Sequence, residues 1–307
     1  MTVYPILLLC VVPAPFLLYA ALGLRRADRR RAAAAAVSFP LCVILGFAFA
    51  KLSYVILLEA GSILEWGEWD ALFSLQPRHF CFTGGACGVC LGVLLAARMT
   101  GYRPAASGLD WFVVPGALLI AGLRLAEAAL GNLGAGRYLD LPDGSPLRLL
   151  AMINSYGEPH LAVYRLEALA ALAVAALSLT DRKRRPGLRF ELAVFRLCAC
   201  QILLENLRSQ ALMWGFVRVE QVLCAVIMMS LTLLNCRRKS GGKGASRFLP
   251  AAGLLACFAA IVGVEFLRQC SPSRFMGLYG GFMMMAAVLA VALLIFRSVA
   301  VGRRRQT

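Results

Sequence analysis

Charge is what this sequence has least of. Asp, Glu, Lys and Arg make up 16% of its 307 residues, against 60% that are apolar. A soluble globular domain carries roughly a quarter charged residues, so that class is excluded. Acid is scarcer still, with 16 Asp+Glu against 32 Lys+Arg and a net charge of +16. The apolar content excludes disorder. No series of alternating apolar and polar segments of about ten residues is present, which excludes a membrane barrel. The basic residues form short clusters between apolar segments, so no nucleic acid is expected as a partner. No positive charge precedes the apolar stretch Met1 to Ala21, and arginines follow it. That order predicts a first membrane helix with its N-terminus outside, not a cleaved signal peptide. Cys87-x-x-Cys90 has metal or redox spacing but lacks a second Cys or His pair, so no metal and no cofactor are expected. Most of the eleven cysteines lie within apolar runs, where Cys acts as a small hydrophobe.

Long apolar runs are what remains. A spanning helix needs roughly 20 mostly apolar residues. The pattern predicts an all-α, polytopic integral membrane protein with about nine transmembrane helices, near 3–24, 36–58, 80–98, 110–131, 160–180, 189–208, 216–236, 249–268 and 276–297. Alternate connections are basic: 21 of the 32 Lys+Arg fall in 25–31, 98–103, 182–189, 237–247 and 297–305. Cytoplasmic loops collect Lys and Arg, so the N-terminus is expected outside and the C-terminus in the cytoplasm. Trp66 and Trp69 beside Glu65, Glu68 and Asp70 suit a segment lying along the outer membrane surface. The segment 132–159, rich in Gly, Pro and Asp, reads as a structured turn region. Ser240-Gly-Gly-Lys-Gly reads as a linker between a seven-helix core, 1–239, and an additional hairpin, 240–307. Leu204-Glu205-Asn206-Leu207-Arg208 is echoed 60 residues later by Val264-Glu265-Phe266-Leu267-Arg268, so the hairpin is a possible repeat of 189–236.

Ionisable groups inside a span are costly, and they commonly face a protein interior or a wet cavity. Lys51, Arg124, Glu127, Arg165, Glu167 and Arg196 are such groups. Arg124 and Glu127 lie three apart on one helix face and can pair, as can Glu205 and Arg208. Two readings stand side by side. The charges hold helices together as ion pairs, or the arginines form a basic pocket near the outer surface for an anionic headgroup. Thr83-Gly84-Gly85-Ala86-Cys87-Gly88 opens the third span, and its glycines allow close approach of a helix or of a headgroup. His79 and His160 flank spans and suit solvated or capping roles.

Several short segments, in order, then carry a resemblance. They are Ile44 to Val55, with Lys51 and Tyr54-Val55; Phe82-Thr83-Gly84-Gly85; Gly122-Leu123-Arg124-Leu125-Ala126-Glu127, continuing to Gly131-Asn132 and Gly136-Arg137; Glu158-Pro159-His160 through Tyr164 to Glu167; and Leu204 to Arg208 followed by Val219-Glu220-Gln221-Val222-Leu223. From about Gly23 to Cys236 their succession resembles bacterial prolipoprotein diacylglyceryl transferases. The resemblance implies a bacterial plasma (inner) membrane protein that moves diacylglyceryl from phosphatidylglycerol to the lipobox cysteine thiol of a preprolipoprotein signal peptide. It implies catalytic roles for Arg124, Glu127 and Arg208. It implies substrate contacts from Thr83, Gly84, Gly85, Asn132, Arg137, Tyr164 and Glu205. The chain departs from the family where Thr83 replaces the motif histidine and Glu127 replaces an asparagine. Its last two spans are extra. Glu127 or His79 would then serve as base, or the arginine field would activate the thiol. Otherwise the protein is a lapsed paralogue that binds anionic lipid or signal peptides. A small-solute transporter stands third, permitted by the repeat.

Overall fold

The computed structural model describes residues 3–24, 29–59, 70–139, 145–153, 156–181, 185–214, 217–238, 248–270 and 278–301. The chain is mostly helical. Among the described residues ten α-helices of nine residues or more carry it: α1 (Val3–Val11), α2 (Pro13–Leu24), α3 (Arg29–Tyr54), α4 (Phe82–Met99), α5 (Ala105–Ala126), α6 (Val163–Thr180), α7 (Leu188–Glu205), α8 (Val219–Arg238), α9 (Leu249–Cys270) and α10 (Leu278–Val301). The first expected span is broken in two at Pro13, since a proline cannot supply the amide that would continue α1. Eight helical stretches of the described residues are long and apolar enough to cross a bilayer. The expected span 189–208 is not among them. It is helical over Leu188–Glu205, and Arg189, Glu191, Arg196 and Glu205 dilute its apolar character.

The expectation of an all-α chain needs one correction. Segments between the helices form two small antiparallel sheets. β1 (Ala135–Tyr138), β2 (Ala151–Ile153) and β3 (Pro159–Ala162) pair in the order β1-β3-β2, and β4 (Met213–Trp214) pairs with β5 (Val217–Arg218). Gly134 stands directly before β1, and Pro159 opens β3. The expected surface segment with Trp66 and Trp69, and the linker 240–244, lie outside the described residues.

The helices fall into two compact units. The first comprises 1–190 with 207–220, and the second 191–206 with 221–307. In the first unit α3 and α4 pack most extensively, and glycine explains why. A Cβ on Gly88 would overlap the Leu45 carbonyl of α3. One on Gly84 would lie 2.9 Å from the Phe49 carbonyl oxygen, and one on Gly92 2.9 Å from the Cys42 amide. Glycine every fourth residue makes a flat stripe, and two helix backbones meet there. Phe16, Tyr19, Phe112 and Val93 fill the centre of this unit, while Ile44, Phe47 and Leu52 stay exposed as a lipid-facing surface would require. In the second unit Phe195 of α7 stacks on Phe296 of α10, with centroids 4.1 Å apart. Asn235 and Arg238 of α8 both bond Glu191. The echoed motifs differ in setting: 264–268 lies within α9, whereas Arg208 lies beyond the end of α7.

Candidate functional site

Four ionisable side chains of the first unit close into a ring. Arg124 sits in the last turn of α5, where the helix dipole favours a cation. Glu127 stands directly beyond the end of that helix, in the 3₁₀ segment Glu127–Gly134. Glu167 comes from the second turn of α6, and Arg208 from the turn after α7. Arg124 Nη1 donates to Glu127 Oε1 at 2.5 Å, and its Nε lies 3.2 Å from Glu167 Oε2. Arg208 Nη2 donates to Glu127 Oε2 at 2.8 Å and also to Glu167 Oε2. Arg208 Nε reaches Glu167 Oε1 at 3.3 Å. Each carboxylate thus joins both arginines, and the formal charges sum to zero.

The ring has a deep side and an accessible side. Arg124 and Glu167 are 4% and 3% exposed, Arg208 and Glu127 10% and 15%. The Arg124 guanidinium also lies over the Phe82 ring, 3.7 Å from its centroid, a cation–π contact strengthened by burial. Phe82 is fixed in turn by Glu220. That carboxylate, from the first turn of α8, accepts from the Phe82 amide at 2.7 Å, the Thr83 amide at 3.0 Å and the Thr83 hydroxyl. It supplies the acceptor that the orphan amides of the α4 N-terminus need. Cys81 precedes them, fully buried.

The three-stranded sheet holds Arg208 in place. Ser209 donates from its amide and its hydroxyl to the Ala135 carbonyl, at 3.1 and 2.7 Å, and Arg208 pairs with Gly136 of β1 as an isolated bridge. A Cβ on Gly136 would fall 2.6 Å from the Leu207 carbonyl oxygen, so only glycine allows this approach. Arg218 Nη1 donates to the Arg208 carbonyl at 3.2 Å.

Of the residues singled out in the sequence, Arg124, Glu127 and Arg208 therefore meet, with Glu167 as the fourth member. Thr83 is engaged by Glu220. Gly84 and Gly85 face α3. Tyr164 is buried, with its ring filling the space beside Gly134. Arg137 lies exposed on β1. Asn132 falls in the 3₁₀ segment, and its side chain lies outside the described residues. Glu205 belongs to the second unit, where Gln201 Nε2 donates to it at 2.9 Å. Arg165 donates to the Leu149 and Ala151 carbonyls, at the start of β2.

Sequence reasoning gave Glu220 no role of its own, although an acid at the end of a span was a visible signal. It also left His79 open. His79 Nδ1 bonds Ser74 Oγ at 2.9 Å and the ring stacks on Tyr54, in a cluster where Lys51 donates to the Ser74 carbonyl at 2.6 Å. Burial first, then the Lys51 and Arg78 charges, hold the imidazole below its ordinary range. An NMR titration is expected to find the ring mostly neutral at pH 6.5. A mostly protonated ring there would mean that the cluster is open to water.

No protein-family model matches this chain, and no curated protein matches its sequence.

Proposed function

We propose that this chain is a plasma-membrane protein of the prolipoprotein diacylglyceryl transferase type. In this reading it crosses the bilayer nine times, α7 included, with its N-terminus outside and its C-terminus in the cytoplasm. One observation carries the reading: two arginines and two carboxylates converge at one end of α5, with Glu127 and Arg208 the less buried pair. Buried ionisable groups in a membrane protein mark function more often than idle structure.

The chemistry assigns a task to each member. The phosphodiester of phosphatidylglycerol takes the place of Glu127 on Arg208, whose planar fork offers it paired donors. Glu127, released from that arginine, accepts the proton of the lipobox thiol, since the thiolate is the nucleophile. Sulfur then attacks the glycerol carbon that carries the phosphate. A C–S bond forms, the C–O bond breaks, and glycerol phosphate leaves with its charge held by the arginines. Glu167 keeps Arg124 and Arg208 in register. Thr83 is committed to Glu220, so the role of the missing histidine passes to Glu127. Phosphatidylglycerol and the signal peptide are thus the proposed partners.

The test is release of glycerol phosphate from phosphatidylglycerol by purified protein, with a lipobox peptide as acceptor. Turnover is expected from the wild type. Arg208→Lys is expected to keep part of it, because it retains the charge and loses the fork. If the protein binds phosphatidylglycerol and turns none over, the enzyme reading fails and the binding paralogue stands.

A further inference from the structure

A second cationic feature lies at the opposite end of α5. Arg124 of the quartet sits in the last turn of that helix. Ala105, its first residue, lines a cavity of about 720 Å³ together with Arg98, Tyr102, Arg103 and Pro104. At 1.5 Å per residue the two sites are separated by about 30 Å, the thickness of a hydrocarbon core. The volume falls in the range of small-ligand pockets. Both arginines are exposed. The acid nearest in sequence, Asp110, is already used: it accepts from the Gly187 and Phe190 amides at 2.6 and 2.9 Å. The first turn of α5 holds no acidic residue, and no side chain caps it after Pro104. Lone arginines at span ends are ordinary anchors. Here two converge on one cavity beside an uncapped helix start, and each element favours an anion.

The neighbouring surface indicates which anion. Met99, between Arg98 and the loop, is 71% exposed. It belongs to a stretch apolar enough to lie in the bilayer. A ligand seated on the arginines would run an apolar portion along that side chain. We infer that this cavity binds the phosphate headgroup of an anionic phospholipid, with an acyl chain against Met99. In the orientation proposed above, the lipid belongs to the cytoplasmic leaflet. The inference does not depend on the transferase reading.

The shared chemistry is a phosphate ester, so the test must separate a lipid from a soluble phosphate. The purified full chain in neutral detergent is titrated with short-chain phosphatidylglycerol, short-chain phosphatidylcholine and glycerol phosphate. Bound molecules are counted by native mass spectrometry. A basic side chain near a membrane surface contributes about 1 kcal/mol towards an anionic lipid. The Arg98→Gln/Arg103→Gln variant is therefore expected to lose one phosphatidylglycerol site, with about thirtyfold weaker binding there. Arg98→Lys/Arg103→Lys is expected to keep most of it. Both pairs are exposed, so thermal unfolding should be unchanged, and Arg208→Lys should leave this site intact. Equal retention of phosphatidylcholine, or unaltered binding by the glutamine variant, would overturn the inference. Competition by glycerol phosphate at the same concentration as the lipid would overturn the assignment to a lipid.

Discussion

Arg124→Gln is expected to lower the unfolding free energy by about 3–5 kcal/mol, the cost of leaving a buried partner charge uncompensated. Glu167 bears most of that loss. It is 3% exposed and shares one oxygen between both arginines. Stacking of the guanidinium on Phe82 disappears as well. The companion variant Arg124→Gln/Glu127→Gln removes one charge of each sign and leaves the ring neutral, so it should recover a large part of the loss. Denaturant unfolding in detergent at pH 7 measures both. A single-variant cost below about 1 kcal/mol, typical of exposed pairs, would mean that water screens the ring. The proposed site would then lose its physical basis.

Gly88→Leu is expected to be comparably damaging through packing alone. Its Cβ would meet the Leu45 carbonyl, and backbone yields less than a side chain. Overpacking a well-packed interface costs about 1–3 kcal/mol and more when backbone must move. Thermal unfolding should show the loss, and a cysteine pair engineered across α3 and α4 should cross-link less readily. Gly263→Leu is the control, because a Cβ there meets nothing within 4 Å. Equal stability of the two variants would contradict the close contact of α3 with α4.

What was legible in the sequence follows the range of the interactions. The apolar runs announce most helices, since burial in lipid is a property of one segment at a time. The Arg124–Glu127 pair could be read because helix geometry brings residues three apart together. Glu167 was visible as a costly charge within a span and Arg208 as a possible partner of Glu205, but their own partnership joins positions 41 apart. The Glu220 cap on Thr83 joins positions 137 apart, and only the fold makes it. The β strands of 135–162 escaped notice because strands of three or four residues are too short to establish a period. In 189–208 the ionisable residues were counted as tolerable within a span. The structure gives that segment an 18-residue helix whose polarity sets it apart from the other eight.

The alternation of sign around the quartet decides how far its influence extends. Two positive and two negative groups at the corners of a ring form a quadrupole, whose field falls off much faster than that of a net charge. An anionic molecule gains nothing from the ring until it touches Arg208, because long-range steering requires an unbalanced field. The ring itself therefore adds no long-range steering, and its own contribution to an encounter rate should be nearly independent of ionic strength. In the proposed reading, selectivity arises in the exchange of partners at contact, where the phosphodiester displaces a carboxylate from Arg208.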